Sequence, residues 1–333
     1  MAAPQNPVIL GIDVSKEWLD INVYGQDDVH KIDNAKRPIH DLLKRYRGAL
    51  IALESTNTYH KLAVERAIAL GITVYLIDGR RLKSYAEAVG QRFRNDAIDA
   101  KLIARYLAHE QHQLRPFKPR SAQLDQLCTL LKRRASLVQE RVAHDQRFVD
   151  FKGFAKISAQ LKSMRKALCA TIKAIDAAIS ELIHSLGYTD DFKRLQAIPG
   201  IGPLNAAMLV SRYHCGDFTH HDAFVSFLGI DVRTKDSGKH KGRRKLTKHG
   251  DGEARRLIYL AAETASRTGQ LFEQRYKALL DKGMKPTAAY IVVARKLIKI
   301  AFAILAKKIS FDPARVFGRK PAAATCTPAQ GAS

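Results

Sequence analysis

The sequence predicts an α/β domain built on a mixed sheet, followed by a longer all-α region. Short apolar runs with strand spacing end by Ile77, whereas beyond Ser121 the apolar positions step by threes and fours. The charge divides in the same place. Of 56 Lys and Arg and 32 Asp and Glu, residues 1–112 hold 16 and 14, and residues 113–333 hold 40 and 18. The net charge of +24 therefore sits almost wholly in the second part, where it forms a surface suited to a polyanion.

Residues 8–13 form an apolar run ending on Asp13 and read as a buried strand. Residues 19–24 alternate, with Leu19, Ile21 and Val23 set against Asp20, Asn22 and Tyr24, and residues 29–32 supply a third strand of an antiparallel meander. A helix over 38–46 leads to a second apolar run, 49–54, which ends on Glu54. A helix over 59–70 stops at Gly71, residues 73–77 form a fifth strand, and helices come next near 80–89 and 96–109. The order βββαβαβα(α) is that of the ribonuclease H-like fold.

In that topology the strands ending on Asp13 and Glu54 are neighbours, and Asp96 and Asp99 share one helix face. Taken singly, each acid reads as a strand-end or cap residue. Placed together they form a set of hard oxygen donors suited to Mg²⁺ or Mn²⁺, which can clamp the oxygens of a phosphodiester.

From Ser121 a helix begins with Leu124, Leu127 and Leu131. A stripe from Phe148 through Phe151, Phe154, Ile157, Leu161, Met164, Leu168, Ile172, Ile175, Ile179 and Leu182 to Leu186 keeps heptad spacing, broken near Gly153. It predicts a helical hairpin or coiled coil, paired within the chain or between chains. The Pro199-Gly200-Ile201-Gly202 turn between two helical patterns reads as a helix–hairpin–helix element or a plain helical turn. In the first reading Gly200 and Gly202 offer backbone N–H groups to a phosphate. A short helix over 218–228 takes Thr219 as its expected cap, and His220 and His221 suit a cap or surface position better than a metal site. Helices over 253–266, 271–282 and 288–306 complete the pattern, and the Ala/Pro/Thr tail after Arg319 is expected to be disordered. The expected divisions are 1–112, 120–188, 189–318 and 319–333.

Between Arg233 and Arg256 the chain places ten Lys or Arg against Asp236, Asp251 and Glu253. Lys239, Lys241, Arg243, Arg244, Lys245, Lys248, Arg255 and Arg256 are the expected phosphate-binding residues. Ser237, at the mouth of this stretch, is a candidate nucleophile or simply part of a Ser-Gly turn. Cys128, Cys169, Cys215 and Cys326 lie far apart with no ligand spacing. That argues against structural zinc or a disulfide framework and suggests a reducing cytoplasm. No apolar run is long enough for a membrane span, and no signal-peptide pattern appears, so a soluble intracellular protein is expected. No GxxxxGK[ST] loop is present, and neither Tyr59 nor Tyr259 is accompanied by an Arg-His-Arg set.

The segments Gly11-Ile12-Asp13-Val14-Ser15-Lys16, Leu53-Glu54-Ser55-Thr56-Asn57-Thr58-Tyr59 and Asn95-Asp96-Ala97-Ile98-Asp99-Ala100-Lys101 are followed by Ile198-Pro199-Gly200-Ile201-Gly202, Asp236-Ser237-Gly238 and Arg255-Arg256-Leu257-Ile258-Tyr259-Leu260-Ala261-Ala262. In this order they resemble the DEDD-type transposases of bacterial insertion sequences, the insertion-sequence-110 family of RNA-guided recombinases. The resemblance spans residues 11–262. It departs from the family where the stretch after Ser237 is unusually basic and where His249-Gly250-Asp251-Gly252 replaces a Gly-Asn-like turn. The resemblance implies a RuvC-like amino-terminal domain with Asp13, Glu54, Asp96 and Asp99 as metal ligands, and Ser237 as the nucleophile of the second domain. It also implies donor and target DNA, a noncoding bridge RNA, an assembly of dimers, and a place in the bacterial cytoplasm at the nucleoid. Two other readings share the same residues: a metal-dependent junction resolvase using water, and a non-catalytic nucleic-acid-binding protein.

Overall fold

The computed structural model describes residues 7–55, 58–91, 95–151, 155–233, 245–247 and 250–316, and it divides into two compact units, Met1–Pro119 and Arg120–Ser333.

The first unit contains β1 (Ile9–Val14), β2 (Trp18–Val23), β3 (Val29–Asp33), α1 (Lys36–Arg45), β4 (Leu50–Glu54), α2 (Lys61–Ala69), β5 (Thr73–Ile77), α3 (Gly79–Ala88) and α4 (Asp96–Glu110). The sheet order is β3-β2-β1-β4-β5, with β1–β2 and β2–β3 antiparallel and β1–β4 and β4–β5 parallel. This is the ribonuclease H-like arrangement, which the RuvC fold shares.

Strand alternation separates the two faces of the sheet. Leu10, Ile12 and Val14 join Leu19, Ile21 and Val23 in a core completed by Ile39 and Leu43 of α1 and by Ala63, Val64 and Ala67 of α2. On the other face Ala52, Tyr75 and Ile77 pack with Leu82 and Ala86 of α3 and with Leu102, Ile103 and Leu107 of α4. The alternation of β2 predicts one solvated face. In the structure β2 is buried on both faces from Leu19 to Val23, because α4 covers the side that carries Asp20 and Asn22.

The second unit begins with α5 (Ala122–Arg147) and α6 (Ala155–Ser185). Arg134 pairs with Asp176 at 2.5 Å and Arg165 with Asp145 at 2.9 Å, partners that run in opposite directions along an antiparallel hairpin. The pairing is thus within the chain. The base of the apolar stripe, with Leu124, Leu127, Leu131, Ile179 and Ile183, joins the core of the later helices, and Ile172 is buried further along α6, whereas Phe148, Ile157 and Met164 are exposed. Phe154 lies outside the described residues.

Then come α7 (Thr189–Gln196), α8 (Pro203–His214), α9 (His221–Phe227), β6 (Val232–Arg233), β7 (Lys245–Leu246), α10 (Gly252–Ala265), α11 (Glu273–Asp281) and α12 (Pro286–Lys307). Phe224, Phe272, Leu297 and Ile298 are fully buried at the centre of this unit. The cap of α9 is His220, whose ring accepts from the Ala223 N–H at 3.4 Å, rather than Thr219. Cys128 and Cys215, distant in sequence, meet with their Sγ atoms 3.4 Å apart. Among the described residues no helix is long and apolar enough to cross a membrane.

Candidate active site

Gly11 sets the geometry of the first unit. A Cβ there would lie 2.3 Å from both the Ala100 carbonyl oxygen and the Ala104 nitrogen, so α4 rests directly on the backbone of β1. That contact carries the first turn of α4 to the carboxyl end of β1. The turn starts at Asn95, whose side chain accepts from the Ile98 N–H at 2.8 Å. Asp96 and Asp99 come next, where the positive end of the helix dipole tolerates negative charge.

Asp13 lies two residues beyond Gly11 and therefore on the same face as α4. Glu54 ends β4 in register with Asp13's strand, on the face occupied by Ala52. A Cβ on Gly79, the first residue of α3, would lie 2.4 Å from Glu54 Oε1, so the carboxylate lies against the start of that helix.

The four acids named from the sequence thus collect around one end of one sheet face. Burial pushes Asp13 up to about 6, and the negative charges of Asp99, Asp96 and Glu54 add to the rise against a hydrogen bond from the Val14 N–H. An all-carboxylate set that raises its own central member is a chemical fit for a hard divalent cation, which would relieve the repulsion.

A group of three potential ligand atoms within 4.8 Å of one another does occur among the described residues, at His220, His221 and Asp222. There His220 caps α9, and Asp222 is held by Lys299 at 2.9 Å. The four acids of β1, β4 and α4 do not form a group that close.

Ser237, Lys239, Lys241, Arg243, Arg244 and Lys248 lie outside the described residues, as does the side chain of Lys245. Both ends of their segment are described. β6 and β7 pair antiparallel, with Val232 opposite Leu246, so Ser237 lies four residues past the end of a closed hairpin base.

The amino-terminal end is anchored by Arg295, which donates to the Ile230 carbonyl at 3.2 Å and to Asp231 at 3.1 Å. The carboxy-terminal end is anchored by Asp251, which accepts from the Glu253 and Ala254 N–H groups as the cap of α10 and is paired with the buried Arg212. Gly250 has φ +110°, and a Cβ there would meet the Phe227 carbonyl at 2.5 Å. The Gly250-Asp251 turn is therefore dictated by packing and capping.

The remaining basic and glycine candidates separate. Arg255 donates to the Gly229 carbonyl at 3.5 Å, and no ion pair occupies it among the described residues. Arg256 is held by both oxygens of Glu253, at 2.8 and 2.6 Å, so its charge is largely committed. Gly200 has φ +87°, and a Cβ there would lie 2.4 Å from the Ala261 carbonyl. It is a glycine because α10 packs against it. Gly202, the exposed start of α8, has open space around its Cα.

Reading by position alone missed Asp20, Arg212, Asp231 and Arg295. Asp20 carried a signal as a carboxylate inside an alternating strand. The others are isolated charges whose partners lie far along the chain.

A family model for DEDD transposases of the IS110 type matches residues 10–151, which include all four acids, and one described as "Transposase IS116/IS110/IS902 family" matches residues 192–277. A pilin gene-inverting protein of Moraxella bovis is 27% identical over 272 residues, covering 79% of this chain and 81% of that one. The putative transposase y4pF/y4sB of Sinorhizobium fredii is 21% identical over 340 residues, covering 92% and 86%. Among solved structures, Thermus thermophilus RuvC is 14% identical and is covered over 99% of its length by 33% of this chain, with a TM-score of 0.27, so the fold assignment rests on the strand order itself. With two models of one family matched in order along it, the chain belongs to the insertion-sequence-110 family of DEDD transposases.

Proposed function

We propose that this transposase cuts, exchanges and rejoins DNA strands through a covalent phosphoserine at Ser237, with a divalent cation, Mg²⁺ or Mn²⁺, held by Asp13, Glu54, Asp96 and Asp99. The observation that carries the reading is the collection of these four acids at one end of the sheet face, with Asp13 raised to about 6 by burial and by its neighbours. The cation supplies charge neutralisation at the reacting phosphate.

The chain's own residues do the rest. The Ser237 Oγ–H loses its proton and Oγ bonds to phosphorus, while the bond from phosphorus to one sugar oxygen breaks and that oxygen leaves as a hydroxyl. The phosphodiester energy is kept in the serine ester, so the reverse attack by a different strand end reseals DNA without a nucleotide cofactor. Arg255 and the basic residues between Lys239 and Lys248 neutralise the nonbridging oxygens. Arg295–Asp231 and Arg212–Asp251 tie down the two ends of the segment that carries Ser237. The gene-inverting relative from Moraxella is named for a rearrangement of this kind.

A noncoding RNA transcribed from the element itself is proposed to select the donor and target DNA by base pairing. The surplus of basic residues in 113–333, without a recognisable base-reading module, supports that division of labour. Self-association, as a dimer or as two dimers, is supported by the exposed apolar residues near the hairpin tip, among them Val149 at 73% and Met164 at 56% exposure. The activity is placed in the bacterial cytoplasm, at the nucleoid.

The test is a trapping reaction. The full chain, Mg²⁺, supercoiled donor and target DNA and the flanking RNA transcript are incubated and denatured, and nucleotide adducts are mapped by mass spectrometry. An adduct on Ser237 that is lost in Ser237→Ala and in Asp13→Asn is expected. Cleavage that survives Ser237→Ala without any adduct would establish the resolvase reading, with water as the nucleophile.

A further inference from the structure

A fifth carboxylate stands on the same sheet face. Asp20 of β2 is paired in register with Asp13 of β1, and cross-strand partners project to the same side of a sheet. The Cα atoms of such a pair lie about 4.5–5.5 Å apart, and the acid whose charge acts on Asp20 is Asp96, the first residue of α4.

Asp20 is only 7% exposed. Among the described residues it makes no hydrogen bond and no ion pair. Its neighbour on that face, Asn22, shows what a satisfied polar group looks like in this position, since its amide donates to the Gln26 and Asp28 carbonyls at 2.9 Å each. Lys31 is Asp20's cross-strand partner on β3; its ammonium lies over the Trp18 ring, 5.3 Å from the centroid, and makes no ion pair with Asp20, though its charge still favours the ionised carboxylate.

The Asp20 carboxylate oxygens keep contact with solvent, and burial and the charge of Asp96 disfavour the ionised form while the charge of Lys31 favours it. Nothing in the packing of β2 calls for an acid here: the position faces α4, where Ala100 and Ala104 line the contact with β1. A solvent-reaching carboxylate on Asp13's side of the sheet, within range of the charge of Asp96 at the start of α4, is placed to accept hydrogen bonds from water on a cation.

We propose that Asp20 belongs to the cation site as a positioning residue, its carboxylate accepting hydrogen bonds from water carried by the divalent cation bound at Asp13 and the α4 acids. The inference rests on the cation reading of the four carboxylates and adds to it an outer acid that raises the affinity and orients the bound water. Residues that act on a metal through such contacts change affinity by about 10- to 100-fold when removed.

The experiment uses the full chain without DNA. Mn²⁺ is titrated and the free ion is followed by electron paramagnetic resonance, and melting temperatures are measured in Mn²⁺ and in EDTA. Native chain, Asp13→Asn, Asp20→Asn, Asp20→Ser and Lys31→Met are compared. The native chain is expected to take up Mn²⁺ and Asp13→Asn to lose it. Both Asp20 variants are expected to bind about tenfold more weakly while melting no lower than native in EDTA. Lys31→Met, which removes a competing positive charge, is expected to bind Mn²⁺ more tightly.

Native Mn²⁺ affinity in both Asp20 variants would overturn the role of Asp20 and leave the four-acid site standing. Equal losses of melting temperature in EDTA for Asp20→Asn and Lys31→Met, with affinity unchanged, would make the two a structural pair and overturn the inference as well. No uptake by the native chain would overturn both the inference and the cation reading beneath it.

Discussion

Arg212, buried in α8, reaches Asp251 at the start of α10, its Nε 3.0 Å from Oδ2, so that one carboxylate caps a helix and neutralises a buried guanidinium together. The two partners are unequal. Asp251→Ala strands a buried charge and removes a cap, and is expected to destabilise the second unit by about 3–5 kcal/mol. Arg212→Met leaves a carboxylate with solvent access and two backbone donors, and is expected to cost less than half as much. Urea unfolding followed by circular dichroism ranks the two; equal losses would mean that the ion pair, which both variants lose, dominates over the cap.

The same pair makes the second unit sensitive to acid. Burial works to raise Asp251, but the Arg212 charge and hydrogen bond and the two backbone N–H groups outweigh it and hold the carboxyl below its ordinary value of 3.8. The unfolded chain then binds the proton more readily than the folded one. The stabilisation is present above pH 3.8 and is lost as the pH falls below it toward the folded-state value. Melting curves from pH 6 to about pH 2 are expected to fall less steeply on the acid side in Asp251→Asn than in the native chain.

Two glycines of the first unit are expected to fail in different ways. In Gly11→Val the new side chain meets α4 backbone that cannot yield, so a loss of roughly 3 kcal/mol or more is expected together with loss of cation binding. In Gly79→Ala the obstructing atom is the tip of the Glu54 side chain, which can rotate away. The chain is expected to stay within about 1 kcal/mol of native stability while strand cleavage drops at least tenfold. Thermal melts and a cleavage assay on the same preparations separate the two.

Salt dependence distinguishes Arg256, held by Glu253, from Arg255, which makes no ion pair among the described residues. Arg255→Gln is expected to lower the slope of log K against log salt for DNA binding by about one, the value for one phosphate contact. Arg256→Gln is expected to change it by much less, because Glu253 already holds that guanidinium at 2.6 Å. Equal slopes would show that the Glu253 pair opens when DNA binds.

Local periodicities and their direct consequences were legible in the chain before any packing was known. They include five strands and their order, the two strands that end on Asp13 and Glu54, and the three-residue spacing that puts Asp96 and Asp99 on one helix face. The location of the basic charge and the ordered motifs of the family were legible as well. Such features are encoded within a few residues of each other, where alternation and capping chemistry act directly. What covers each face was settled by tertiary packing alone. Asp20 and Asn22 read as the solvated side of an alternating strand until α4 lies across them. That residue 200 can only be a glycine is visible once α10 fills the space a side chain there would take. Cys128 meets Cys215 across 87 residues, and Arg212 meets Asp251 across 39. One cause accounts for all of these. A periodic pattern says which side of an element is apolar, but the group opposite a given atom is set by the packing of elements distant in the chain, and buried charge is tolerated only where that packing supplies a partner.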